Sequence, residues 1–177
     1  MPDLQPTLIG KLVHLRPLRQ SDWNALFAVA SDPLVWEQHP RPDRCTEPVF
    51  REFFDQALES GGALLATDAA TGEVVGSSRF RHDQERGEIE IGWTFLARSH
   101  WGGRYNAEMK RLMLRHAFQF VDCVVFYIGG RNVRSQKAVE KLGASRAGFG
   151  RDDGSGSPSV RYELTREQFA LGAVQER

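Results

Sequence analysis

The run Arg98-Ser-His-Trp101-Gly102-Gly103-Arg104-Tyr105-Asn106-Ala107 holds the clearest prospect of chemistry in the chain. It joins an apolar alternating stretch to the longest amphipathic segment, so unbonded main-chain amides at the start of a helix face outward there. Two glycines let the backbone approach a ligand closely, and the helix end adds partial positive charge, which together suit a pyrophosphate. A P-loop would need a Lys-Ser or Lys-Thr pair, and a dinucleotide fold needs its full glycine fingerprint; neither occurs. A Gly-Gly loop ahead of a helix also occurs with no ligand, and the turn taken alone leaves both readings open.

Upstream of the turn, Glu88 and Glu90 alternate with Ile89 and Ile91 and share one face of a strand. Such a pair serves proton transfer beside a ligand, or it is a solvated strand face with paired charges. His14, His39, His82, His100 and His116 are scattered, and none stands with Cys45 or Cys123 at a metal-ligand spacing. No metal site is expected, and no histidine is assigned a role.

The elements that must position these residues follow from hydrophobic spacing. Lys11 to Pro17 alternates and ends at proline, as a strand does. Ser21 is a candidate cap for a helix carrying Trp23, Leu26, Phe27 and Ala30, and Thr46 for a second carrying Phe50, Phe53, Phe54, Ala57 and Leu58. Strands are expected over Ala63–Thr67, Val74–Arg81 and Glu88–Leu96, with short polar links that imply antiparallel hairpins. A long helix from Tyr105 to Val121 leads to a strand at Cys123–Ile128, an order that implies a right-handed crossover and parallel pairing. A helix over Val133–Leu142, with Asn132 as cap and Gly143 at its end, precedes a closing hairpin of Ala144–Gly150 and Val160–Leu164.

With 177 residues and no repeat, the chain is expected to be one mixed α/β domain. Lys plus Arg and Asp plus Glu number 23 each, so no overall field favours nucleic acid or a membrane surface. Two cysteines make no disulfide framework, and the first ten residues have no leader pattern, so a cytoplasmic protein is expected.

Taken in order, two early helices, an antiparallel meander, the Trp-Gly turn, the long helix, a short strand and Arg131-Asn132-Val-Arg134-Ser135-Gln-Lys137 running to Leu142-Gly143-Ala144 resemble the GNAT superfamily of N-acetyltransferases. The opening Gly10-Lys-Leu-Val-His-Leu-Arg-Pro-Leu18 and the Asn-x-x-Ser pattern look like the branch of ribosomal-protein N-terminal acetyltransferases. The resemblance covers residues 8–169. It implies a mostly antiparallel sheet with one parallel pair splayed around the cofactor and about four flanking helices.

It also implies acetyl-CoA as cosubstrate and a primary amine as acceptor, either a protein N-terminus or a small molecule, attacked directly in a ternary complex. Amides from Gly102 through Gly103, Arg104, Tyr105 and Asn106 to Ala107 would hold the pyrophosphate beside Trp101. Asn132 and Ser135 would flank the pantetheine arm, the strand edge at Phe95 and Leu96 would bond it and the oxyanion, and Arg134 and Lys137 would meet the 3′-phosphate. Glu90 is the expected base and Ser135 the donor to the leaving thiolate, since Ala138-Val139-Glu140 stands where many members carry a tyrosine; Tyr162 is a weaker alternative. Glu52, Asp55 and Glu59 would border the acceptor cleft. Arg104 replaces the second glycine of the family's Gly-x-Gly pair, and with the missing tyrosine it leaves room for a module that binds CoA without turnover. A homodimer is compatible with all of this.

Overall fold

The computed structural model describes residues 1–175. Its strands are β1 (Leu8–Ile9), β2 (Val13–Pro17), β3 (Ala63–Asp68), β4 (Val74–Asp83), β5 (Glu88–Leu96), β6 (Cys123–Ile128), β7 (Ser145–Asp152) and β8 (Pro158–Thr165). The helices are α1 (Trp23–Ala30), α2 (Glu47–Glu59), α3 (Arg104–Ala117), α4 (Val133–Lys141) and α5 (Arg166–Gln175). One sheet runs in the order β1-β2-β3-β4-β5-β6-β8-β7, and every pair is antiparallel except β5 with β6. That one parallel pair follows from the crossover through α3.

Parallel pairing joins Glu88 to Cys123, Ile89 to Val124 and Glu90 to Val125, and goes no further. The cause lies in β5. Arg79 of β4 faces Gly92 while Ser77 faces Phe95, so β5 carries one residue more than its partner, and Trp93 takes φ 52°. A bulge of this kind bends its strand, and here it bends β5 away from β6. The result is a fork in the middle of the sheet.

The bulge also decides which side chains face which layer. One core lies under α3, where Ile89, Ile91 and Leu96 meet Met109, Met113 and Phe126. The other lies under α1 and α2, where Phe95 meets Trp36, Phe50 and Phe53. Trp36 and Phe95 rings stand 4.9 Å apart, and the Trp36 indole donates to the Ala30 carbonyl at 2.8 Å. Phe50 is fully buried, so its truncation to alanine would cost about 3–5 kcal/mol.

Two local readings of the sequence are corrected, and two elements are added. Ser21 does not cap α1: Asp22 stands at the cap, its carboxylate bonded by Arg16 at 2.9 and 2.7 Å and by the Arg19 amide at 2.8 Å. Thr46 precedes α2, yet its hydroxyl donates to the Asp43 carbonyl at 2.8 Å and leaves the helix amides alone. The short β1 pairs with β2 and was not foreseen. A fifth helix, α5, follows β8, and the Thr165-Arg-Glu-Gln168 capping box announces it: the Thr165 amide donates to Gln168 at 2.9 Å and the Gln168 amide to the Thr165 hydroxyl at 3.2 Å.

Candidate active site

The turn before α3 is built to leave its amides free. Gly102 and Gly103 have φ 108° and 96°, a region that side-chain-bearing residues avoid, and open space surrounds the position of a Cβ at both. Gly103 caps α3 without a side chain, and no acidic residue sits in the first turn. The first helical bond is from the Ala107 amide to the Gly103 carbonyl at 2.8 Å, so the amides of Arg104, Tyr105 and Asn106 precede the ladder. These residues fit a diphosphate. Arg104 is exposed at the same rim.

Three contacts hold the turn in place. The Trp101 indole donates to the Leu96 carbonyl at 2.9 Å. His100 Nε2 lies 2.9 Å from Asp68 Oδ2, and the Tyr105 hydroxyl donates to the same oxygen at 3.1 Å. Amides of Ala70 and Thr71 bond the other oxygen at 2.8 and 3.0 Å. His100 first and then these amides hold the Asp68 carboxyl well below the usual carboxylate range. Asp68 and the structural use of His100 were missed in the sequence, where nothing local links β3 to the turn.

A cleft of about 1690 Å³ runs from this turn along α3 and α4 into the fork. Drug-sized ligands occupy about 300–1,000 Å³, so the cleft has room for a long ligand and a second substrate. Asn132 caps α4 by accepting the Ser135 amide at 3.2 Å, which presents Asn132, Ser135 and Lys137 along one wall. The Arg134 guanidinium stacks 3.9 Å from the Trp101 ring centroid and lines the same wall. On the opposite wall the Ala97 amide donates to Val75 at 2.7 Å while the Leu96 carbonyl takes the Trp101 indole, so the main chain of Leu96 faces away from β4. Phe95, one residue earlier, pairs back with Ser77.

In the fork, Lys110 of α3 is 5% exposed; its Nζ donates to the Thr94 hydroxyl and lies 5.8 Å from the Phe126 ring centroid. Burial pulls its ammonium down to about 7. The signal for Lys110 was its place in the stripe Met113, Leu114 and Ala117, a lysine at i to apolar i+3, i+4 and i+7.

The two β5 carboxylates share a face and both are buried, but neither is free. Glu90 accepts Arg81 Nε at 2.9 Å and Arg151 Nη1 and Nη2 at 3.2 and 2.6 Å. Glu88 is gripped by Arg161 at 3.0 and 2.8 Å. The Tyr162 ring is 1% exposed, and its hydroxyl donates to Glu140 at 2.8 Å and Gln136 at 3.1 Å, away from the fork. Glu52, Asp55 and Glu59 are exposed on α2 and do not line the cleft; Arg44 and Trp36 do. Among the described residues no group of three His, Cys, Asp or Glu is arranged for a metal, and no helix is long and apolar enough to cross a membrane.

Residues 13–145 match the family model for the acetyltransferase (GNAT) domain, and the chain belongs to that family of acetyl-CoA-dependent acetyltransferases. A solved acetyltransferase from T. thermophilus is 30% identical, with 96% of this chain and 94% of that one covered at a TM-score of 0.77. A GCN5-related N-acetyltransferase from Brucella melitensis is 21% identical, with 95% and 82% covered at 0.82. Mycobacterium smegmatis RimJ in complex with CoA-disulfide is 19% identical, with 99% and 97% covered at 0.73. At the last two identities the likeness is one of fold. No curated protein matches the chain.

Proposed function

We propose that this protein moves the acetyl group of acetyl-CoA to a primary amine by direct attack in a ternary complex. The observation that carries the proposal is the set of unbonded amides at the start of α3, opening onto a cleft that reaches the fork. Amides from Gly102 to Asn106 take the pyrophosphate, the Ala107 amide expected to join them being spent on the Gly103 carbonyl; Asn132 and Ser135 flank the pantetheine arm, and Arg134 and Lys137 stand on the 3′-phosphate side. The thioester then lies between β5 and β6, where the Leu96 amide is the better placed of the two candidate oxyanion donors because the Phe95 main chain is turned to β4.

Attack by the neutral amine nitrogen forms the N–C bond, and collapse of the tetrahedral intermediate breaks C–S with the electron pair leaving on sulfur. Ser135, half-buried in the first turn of α4, donates to that thiolate. Glu90 accepts the amine proton, directly or through a water. Because both its oxygens are taken, it does so when the acceptor entering beside Trp93 displaces Arg151, which reaches in from β7. The Gly10–Leu18 opening and the Asn132-x-x-Ser135 pattern resemble the ribosomal-protein N-terminal acetyltransferase branch, a likeness that does not by itself fix the acceptor.

Thiol release from acetyl-CoA with a panel of amines and N-terminal peptides, with acetylated products identified by mass spectrometry, tests the reaction. Stabilisation by CoA with no release from any amine would instead mean a CoA-binding module.

A further inference from the structure

Through the fork from the phosphate turn, the α2 face of the sheet gathers positive charge that the protein does not neutralise. Arg79 of β4 is 7% exposed, and its Nε and Nη2 meet no hydrogen-bond partner among the described residues. Its guanidinium lies 4.6 Å from the Trp93 ring centroid and 5.4 Å from that of Phe53. Arg44, from the short Pro42–Cys45 turn, lies 4.6 Å from the same Phe53 ring and 5.6 Å from Trp36, and it lines the cleft. Arg44 forms no ion pair among the described residues; its Nη1 stands 3.1 Å from His39 Nε2, a ring that burial and Arg44 hold near 3. Arg41 is matched by Asp43; of the carboxylates that line this end of the cleft, Asp152 and Asp153 accept amides of their own loop, Gly154 and Ser155, and Glu90 is shared by Arg81 and Arg151. Two guanidiniums around Phe53 therefore make no ion pair among the described residues, Glu90 and Asp43 acting on Arg79 and Arg44 only at longer range.

Leaving a buried guanidinium unpaired is costly, and proteins bear that cost where a ligand supplies the counter-charge. Burial draws both Arg79 and Arg44 down to about 10, so each is still cationic at neutral pH. Aromatic faces at Trp93, Phe53 and Trp36 steady the cations without neutralising them. A polyamine or an aminoglycoside brings more positive charge to this face and is disfavoured by it.

We infer that the acceptor is a small amine bearing an oxyanion, a carboxylate or a phosphate a few bonds from the nitrogen, received by Arg44 with Arg79 behind it as the second cation. The inference rests on the transfer reaction proposed above and narrows its substrate class. An amine so held meets the thioester from the Trp93 side of the fork, opposite α3.

Matched acceptors read this directly: glycine against glycinamide, β-alanine against propylamine, and aminomethylphosphonate or phosphoethanolamine against ethanolamine. The charged member of at least one pair is expected to be used with kcat/KM about tenfold or more above its neutral partner, the carboxylate and phosphate arms telling the two sources apart. Arg44→Met should remove that preference, mainly through KM for the charged acceptor, while Arg44→Lys restores part of it. A readout without turnover is calorimetry of N-acetylglycine against N-acetylglycinamide in the presence of CoA. Preference for neutral or polycationic amines, or an Arg44→Met enzyme with wild-type discrimination, overturns the inference and leaves the transferase proposal standing. Tighter binding of the acid with no thiol release from any amine supports the anion site and overturns the transferase proposal instead.

Discussion

The Arg134 guanidinium lies 3.9 Å from the centroid of the Trp101 ring, and this stack joins the start of α4 to the turn that opens α3. Trp101 is 37% exposed and also donates to Leu96, so one side chain spans the end of β5 and both walls of the cleft mouth. A cation over an indole contributes about 0.5–2 kcal/mol depending on its hydration. The geometry of the cleft mouth thus depends on a contact between residues far apart in sequence.

Trp101→Ala should raise KM for acetyl-CoA about fivefold to tenfold with a smaller change in kcat, because it loosens binding common to ground and transition states. Steady-state kinetics at varied acetyl-CoA check this. An unchanged KM would mean the stack has no part in holding the donor.

Gly103→Ala places a side chain at φ 96°, where space is open but the backbone is strained by about 1–2 kcal/mol. The α3 amides should lose their aim, with CoA affinity falling about tenfold by calorimetry. Thermal melting should show only a modest loss of stability, which separates the cradle from the fold.

Asp68 links β3 to the turn through His100 and Tyr105. Its carboxyl is held below its unfolded range, so the stabilisation is present at neutral pH and is lost as acid protonates the folded carboxylate. Asp68→Asn should therefore melt below wild type from pH 5 to 8, and the gap should narrow steadily as pH falls from about 4 to about 2. A gap that stays constant down to that point would refute the linkage.

Lys110 carries the opposite sign. Its folded ammonium titrates near 7, below the unfolded value, so the folded state binds fewer protons between those limits and its stability rises with pH there. Lys110→Met should melt above wild type at and below pH 7, with the gain shrinking toward pH of about 10. Differential scanning calorimetry across that range reads it.

Glu90→Gln keeps the shape of the fork while removing the proposed proton acceptor. The expected loss in kcat is about a hundredfold with little change in KM for acetyl-CoA. If only the melting temperature falls, Glu90 is a clamp for Arg81 and Arg151 and nothing more.

Much of the fold was legible because its signals are local. Alternation marked the strands from Ala63 to Leu96, and the stripe from Met109 to Ala117 marked the long helix. The strand-helix-strand order implied the parallel pair, and Asn132 announced the α4 cap it makes. The misses have local causes too. Ser21 and Thr46 each stand beside a helix whose start is set by a neighbour, Asp22 in one case and a helical turn at Pro42–Cys45 in the other. The Thr165–Gln168 box was readable and overlooked.

The environment of the site was a different matter. That Glu88 and Glu90 share a face followed from a period of two, but Arg161 comes from β8 and Arg151 from β7, each more than sixty residues away. Lys110 sits under Thr94 only because the bulge at Trp93 parts β5 from β6.

What the sequence by itself determined was the order of elements and the free amides at the head of α3, since helix starts, glycine dihedrals and hydrophobic period are properties of neighbouring residues. The tertiary structure alone decided which charges are matched. Ion pairing and burial depend on residues that meet only after the sheet closes, so among the described residues Arg44 and Arg79 have no ion-pair partner while Glu90 is held twice.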